Sequence, residues 1–146
     1  MSQQGIHVLD TTVHKTHEWI AAIAELTHLE KNDAYKALRA VLQTLRDRLP
    51  VELTAHLSSQ LPMLIRGLFY EGWEPARVPK KMNHQEFLNA VSEKIVTDRF
   101  IDPQRITHDV FMVIGQFIAP GEVDKVKRSL PLDIQELWPE FAEAAH

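Results

Sequence analysis

Apolar side chains recur at helical spacing through most of this chain. In residues 11–31 they fall three or four positions apart, which places them on one face of an α-helix. The same spacing continues through residues 32–49, with no Gly or Pro inside the run. No window alternates convincingly between apolar and polar positions, and no Asn-Gly or Asp-Gly hairpin turn occurs. The pattern therefore predicts an all-α protein.

Capping residues and prolines divide the first half of this pattern into four helices. Thr11 or Thr12 is expected to cap the first helix, and Asn32 the second. Pro50 ends the second helix and opens a third, and Pro62 opens a fourth. A stretch with two prolines and a glycine follows, which makes a continuous helix through it unlikely and predicts a linker.

The second half of the chain also contains capping residues and prolines that predict helix starts. Asn83 and Glu86 have the spacing of a capping box, with Asn in place of the usual Ser or Thr. Asp102 followed by proline is a strong start signal for a sixth helix, whose apolar face includes Phe117. Pro120 and Pro131 then open two further helices, the last reaching Leu137. The total is about eight helices.

A helix-starting phrase occurs twice, and this repeat predicts how the helices are organised. Leucine, proline, isoleucine, leucine and an aromatic residue match in all five positions at an offset of 69 residues; the two copies start at Leu61 and Leu130. Trp19 lines up with Phe87 at an offset of 68. The repeat predicts two pseudo-symmetric four-helix repeats packed as one compact unit. The expected boundaries are a flexible N-terminal tail, a first repeat, a linker and a second repeat, at residues 1–10, 11–73, 74–82 and 83–146.

Composition and charge narrow the class of protein. Of the 146 residues 45% are hydrophobic and 25% charged, as in soluble globular domains. The net charge is −4 and neither half is cationic, so we expect no nucleic-acid partner. Cysteine is absent, which excludes thiol catalysis. Neither a signal sequence nor a membrane-spanning apolar run is evident. We therefore expect a cytoplasmic protein without a membrane partner.

Four segments together resemble a known family. They are LRDRLP at 45–50, SQLP at 59–62, RGLFYEGW at 66–73, and Gly-Glu at 121–122 ahead of the second Ser-Leu-Pro. The combination is similar to the bacterial domain-of-unknown-function family 2267, from about Val13 to Phe141. The second copy reads RSLP where the family often has glutamine before the leucine. The resemblance implies an all-helical bacterial protein built from two repeats. It implies no activity, and no catalytic residues are carried over.

Histidines are the main candidates for metal ligands. His14 and His17 are three residues apart and can share a helix face, and Glu25 with His28 forms a Glu-x-x-His pair. In carboxylate-bridged di-iron bundles that pair occurs twice, but the matching region near Glu93 contains no histidine. The alternative, which we prefer, is that these are solvated surface histidines. Gly-rich phosphate loops are absent, and no cofactor is predicted.

The aromatic residues before the linker are the candidate partner surface. Tyr70 and Trp73, together with Arg77, would make a binding hot spot if they were exposed. The alternative is that the two rings pack into the junction between the halves.

The leading functional hypothesis is a non-enzymatic interaction or regulatory module with an unknown protein partner, as a monomer or a homodimer. It depends on the absence of a recognisable catalytic or cofactor motif in a helical scaffold. The alternative is a metal- or small-ligand-binding protein, possibly an enzyme, with a site between the two repeats. Nucleic-acid binding ranks last.

Overall fold

The structure is a computed structural model that describes residues 5–139, and it is all-α within that range. Residues 5–139 contain eight α-helices and one short 3₁₀ turn and no strands, which confirms the predicted class and the number of helices. In chain order the helices are α1 His7–Thr27, α2 Lys31–Arg48, α3 Val51–Ser58, α4 Met63–Tyr70, α5 His84–Lys94, α6 Pro103–Phe117, α7 Pro120–Arg128 and α8 Leu132–Gln135, and the 3₁₀ turn is Pro75–Arg77.

Helix α2 lies at the centre of the molecule. It contacts α1, α4, α5 and α6, and every residue in 40–47 is buried. A helix that is buried all round is expected in the interior of a packed bundle. Helix α6 is the second central element, since it contacts α1, α2, α5 and α7. The buried side chains of all eight helices belong to one hydrophobic cluster, so the two predicted halves share a single core.

The two leucine-proline phrases adopt similar local structures. Pro62 and Pro131 each occupy the extended position directly before a helix, at the start of α4 and α8. A side chain one turn later donates back to the carbonyl of the leucine, from Arg66 Nη2 to Leu61 at 3.0 Å and from Gln135 Nε2 to the equivalent leucine at 2.8 Å. These bonds satisfy backbone carbonyl groups between helices that have no helical N–H donor. The pseudo-symmetry of the complete repeats stays a prediction.

Both capping signals in the second half are confirmed. The Asn83 side chain accepts the backbone N–H of Glu86 at 2.8 Å, and the Glu86 carboxylate accepts the backbone N–H of Asn83 at 2.9 Å. The Asp102 carboxylate accepts the backbone N–H of Gln104 at 3.1 Å, and proline follows it as expected.

The predicted starts of the first two helices are wrong. Helix α1 begins at His7 without a side-chain cap, so residues 7–10, assigned to a flexible tail from the sequence, are helical. Thr12 does not cap α1, because it is the sixth residue of the helix. Its hydroxyl instead accepts the backbone N–H of Leu64 at 3.1 Å. Helix α2 begins at Lys31, one residue before the predicted Asn32 cap. Residues 1–4 of the expected tail lie outside the described residues.

The linker and the last helix also differ in detail from the prediction. The 3₁₀ turn falls inside the predicted linker, and the backbone N–H of Lys80 donates to the Asp47 carbonyl at 2.7 Å, which ties the linker to the end of α2. Helix α8 has four residues and ends before Leu137. Residues 140–146 of the predicted second repeat lie outside the described residues, and the repeat boundaries stay predictions.

Membrane insertion through a helix has no structural basis in the described part of the chain. None of the helices in residues 5–139 combines the length and the hydropathy that a spanning segment requires.

Candidate interaction site

The predicted partner surface is partly packed into the first half of the chain. Tyr70 is half-buried, and its hydroxyl donates to Ser58 Oγ at 2.8 Å. The rings of Tyr70 and Trp73 meet in a tilted pair with centroids 5.2 Å apart, and Trp73 is half-buried as well. Arg77 is exposed, with a guanidinium nitrogen 3.8 Å from a carboxylate oxygen of Glu74. The three side chains therefore do not form one exposed cluster, and their role in binding a partner stays a prediction.

The candidate metal ligands lie at the surface. His14 and His17 are exposed on α1, and His14 Nε2 is 3.5 Å from a carboxylate oxygen of Glu18. His28 is exposed at the end of α1, where its backbone turns into the left-handed region with φ of 63°. Among the residues that the structure describes, no group of three or more His, Asp or Glu side chains is placed to hold a metal ion.

A buried ion pair holds the ends of α2 and α4 together, and sequence reasoning missed it. Arg46 Nε donates to the Asp47 carboxylate at 2.9 Å, and Arg46 Nη1 donates to the carbonyls of Phe69 and Glu71 at 3.0 and 2.6 Å. Both charged side chains are almost completely buried. These bonds satisfy free carbonyls at the C-terminal end of α4, so the pair has a structural role. Its only sequence signal is a run of three charged residues, 46–48, between Leu45 and Leu49.

One ionisable group near this ion pair has a shifted pKa. Partial burial of the Lys94 amine, at the end of α5, lowers its pKa below the ordinary value of 10.5, because burial disfavours the charged form. The Asp47 carboxylate acts in the opposite direction and favours the charge. This shift follows from packing and does not by itself identify a catalytic base.

A groove lies between α1, the connection from α3 to α4, and the end of α6. Its floor is a stacked aromatic pair, in which the ring of Phe117 lies 5.1 Å from that of Trp19 at an interplanar angle of 16°. Trp19 is buried, whereas 41% of Phe117 is exposed. The groove has a volume of about 320 Å³. Its lining consists of Lys15, Glu18, Trp19, Ser59, Gln60, Leu61, Pro62 and Phe117.

The groove is lined by both apolar and polar side chains, and its accessible surface is more polar than apolar. Phe117 supplies accessible apolar surface, whereas Trp19 and Leu61 are each only 2% exposed. Lys15 and Glu18 add charges of both signs. Exposed aromatic surface surrounded by polar groups is typical of binding hot spots. The lining contains no nucleophile paired with a base, so the arrangement can bind an apolar group but offers no evident chemistry.

Sequence reasoning used Trp19 and Phe117 as apolar helix residues but did not predict the groove. Helical periodicity put Phe117 on the apolar face of α6, but 41% of it is exposed. Phe117 is the last residue of α6. The groove also joins α1, in the predicted first repeat, to α6, in the predicted second.

Comparison with known proteins identifies the family and no activity. A family model described as an uncharacterized conserved protein, DUF2267, matches residues 16–137. The match covers α2 to α8 and the part of α1 that enters the core. No curated protein matches the sequence. The chain therefore belongs to the DUF2267 family of uncharacterized conserved proteins.

Proposed function

We propose that this protein is a non-catalytic interaction module that binds a partner protein through the groove on Trp19 and Phe117. The observation that carries the proposal is the half-exposed ring of Phe117 on a buried Trp19. An aromatic side chain held rigidly against a core loses little conformational freedom on binding, so it contributes efficiently to affinity. The partner remains unidentified.

The size and charges of the groove favour a particular kind of ligand. A volume of about 320 Å³ accommodates one or two large side chains of a partner. An amphipathic helix presents such side chains from one face and can lay them in an apolar groove. Lys15 and Glu18 at the edge would then pair with charges on that helix and fix its direction. Nucleic acid fits poorly with a net charge of −4.

A small apolar ligand is the second candidate. The groove volume is near the lower end of the range of small-molecule sites, roughly 300–1,000 Å³. Its position between α1 and α6 also agrees with the alternative of a ligand site between the two predicted repeats. For this alternative we expect a compound of low molecular mass to remain bound through purification and to appear in native mass spectrometry.

The test is affinity capture from host cells with matched surface variants. Phe117→Ala removes the exposed ring from the groove, whereas Leu132→Ala removes a comparably apolar side chain that is 78% exposed on α8, outside the groove. We expect a stoichiometric partner with the unchanged protein and with Leu132→Ala, and its loss with Phe117→Ala. Circular dichroism would check that both variants are folded.

Further variants separate the possible surfaces. A partner that survives Phe117→Ala but is lost with Trp73→Ala or Arg77→Ala would retain the interaction function and move its site to the predicted partner surface. Absence of any stoichiometric protein, together with a bound small molecule in native mass spectrometry, would reject the interaction module in favour of the second candidate.

A further inference from the structure

The N-terminal two turns of α1 carry apolar side chains that the core does not use. We call residues 6–13 the α1 arm. No side chain in residues 5–11 is buried. Ile6, Leu9 and Val13 of the arm are 60%, 48% and 43% exposed. A helix with solvent on all sides is normally polar all round, so this stripe of apolar side chains requires an explanation.

The spacing of the exposed stripe is that of a helix-packing seam. Ile6, Leu9 and Val13 are separated by three and then four residues, and the same alternation continues to Ile20 and Ile23 further along α1. Ile23 is fully buried and Ile20 packs against the core. Along this face Thr16 separates the two parts of α1: the C-terminal part packs inside the molecule, and the N-terminal part has the same spacing of apolar side chains but leaves them exposed.

Apolar side chains from α4 enlarge this surface. The backbone N–H of Leu64 donates to Thr12 Oγ1 at 3.1 Å, which holds the start of α4 against the arm. Met63 and Leu64 are each about half exposed at this point. Val8 is also exposed, but at about 100° per residue it lies on the other side of α1 from Ile6 and Val13. The proposed surface is therefore made of Ile6, Leu9, Val13, Met63 and Leu64.

The extent of this surface fits a symmetric dimer. About half of each of these five large side chains is exposed, on the order of 400 Å² of apolar area, which lies within the range for the largest patch on a monomer. A standard interface buries about 800 Å² from each partner and is about 56–65% apolar. This surface therefore supplies most of the apolar share of such an interface. A two-fold axis pairs a surface with its own copy, so the same five side chains supply both sides.

We propose that two copies of this chain associate through the α1 arm and the start of α4, around a two-fold axis. This assembly goes beyond the proposed function and is independent of the groove. At about 100° per residue, Lys15 and Glu18 lie about 120° or more around α1 from Leu9 and Val13. The charged residues of the groove therefore point away from these two side chains of the proposed interface.

The oligomeric state of surface variants tests the proposal. In sedimentation equilibrium at about 100 µM chain, a concentration that populates dimers of micromolar affinity, we expect the unchanged protein to be a dimer. Leu9→Glu places a charge in the middle of the interface and is expected to give a monomer. Leu132→Glu changes an apolar side chain that is 78% exposed on α8, so it should leave the dimer intact. The circular dichroism spectra of both variants should match that of the unchanged protein.

Cross-linking gives a second, geometric test. Because the chain contains no cysteine, a single introduced thiol can form a disulfide only between copies. Under mild oxidation Val13→Cys is expected to give a covalent dimer at least ten times faster than Leu132→Cys. The proposal is overturned if the unchanged protein sediments as a monomer, if Leu9→Glu remains dimeric, or if the two thiols cross-link at equal rates. Partner capture through Phe117 should persist in Leu9→Glu, which separates this proposal from the proposed function.

Discussion

Helices α1 and α5 hold equivalent places in the predicted repeats, yet they differ greatly in length. Trp19 of α1 and Phe87 of α5 line up in the sequence, and both are buried in the common core. Helix α1 has 21 residues, whereas α5 has 11. At the offset of 68 residues that aligns the two aromatics, the cap of α5 at Asn83 corresponds to Lys15. The α1 arm therefore has no counterpart in α5, which indicates that the core can be built without it.

The two helices also begin differently. Helix α5 begins at a complete capping box, and the backbone N–H of His84 donates to the Asp133 carboxylate of α8 at 2.8 Å. Helix α1 meets α4 through Thr12, five residues after its own start, and begins without a side-chain cap. The start of α5, fixed by a cap and by a neighbouring helix, stabilises the fold. The uncapped start of α1, with its exposed apolar side chains, is available for binding.

The largest expected effect tests the equivalence of the two buried aromatics. Trp19→Ala and Phe87→Ala each remove a large side chain from the core, so each should lower the free energy of unfolding by about 3–5 kcal/mol. Urea denaturation measures both values. Phe100→Ala is the control, because its ring is 85% exposed, and it should change stability by less than about 0.5 kcal/mol. A loss below about 1 kcal/mol for either core variant would contradict the equivalence.

The next effect concerns the beginnings of the two helices. Asn83→Ala removes the capping side chain of α5 and should lower the free energy of unfolding by about 1 kcal/mol. Thr11→Ala is the matched change in α1, where the hydroxyl has a single long contact of 3.5 Å to His7. We expect a change within about 0.5 kcal/mol there, again from urea denaturation. Equal losses in the two variants would show that the start of α1 is as firmly held as that of α5.

Much of the fold could be predicted from the sequence because it depends on local rules. The helical spacing of apolar residues and the caps at Asn83 and Asp102 are confirmed, since each needs only its neighbours along the chain. The start of α1 could not be predicted. Thr12 has the chemistry of a cap, but its hydroxyl is used by Leu64, which lies 52 residues away.

The candidate surfaces are harder to predict for a related reason. Periodicity placed Val13 and Phe117 on inward faces, but both are more than 40% exposed. The spacing of residues along a helix shows which side is apolar, but it does not show how far neighbouring helices cover that side. The buried pair of Arg46 and Asp47 was missed because its acceptors, at the end of α4, are distant in sequence.

A smaller effect is expected where α5 ends. Lys94 aligns with Leu26 of α1, which packs against the core. Because partial burial lowers the pKa of Lys94, the unfolded chain binds more protons than the folded chain between that lowered pKa and 10.5. The stability contributed by this group therefore rises with pH across that window. Lys94→Leu removes the buried charge and should stabilise the protein at pH 7.

Urea denaturation at pH 7 and again near pH 10 measures this difference. The advantage of Lys94→Leu should shrink at the higher pH, because a larger fraction of the unchanged Lys94 is then uncharged in the folded state. Ser92→Leu, at an exposed and uncharged position of the same helix, is the control for added apolar surface and should lack this pH dependence. An advantage that is constant with pH would rule out the buried charge as its cause.

The smallest effect on stability is expected from shortening α1 to resemble α5. A chain that begins at Thr11 lacks most of the α1 arm but keeps Thr12 and its bond to Leu64. Since no side chain in residues 5–11 is buried, the free energy of unfolding of the monomer should change by less than about 0.5 kcal/mol in urea denaturation. The same chain should sediment as a monomer, because Ile6 and Leu9 are removed from the proposed interface. Loss of dimerisation with unchanged monomer stability would assign the arm to binding. A loss of several kcal/mol would instead show that the arm is part of the fold, and would remove the contrast with α5.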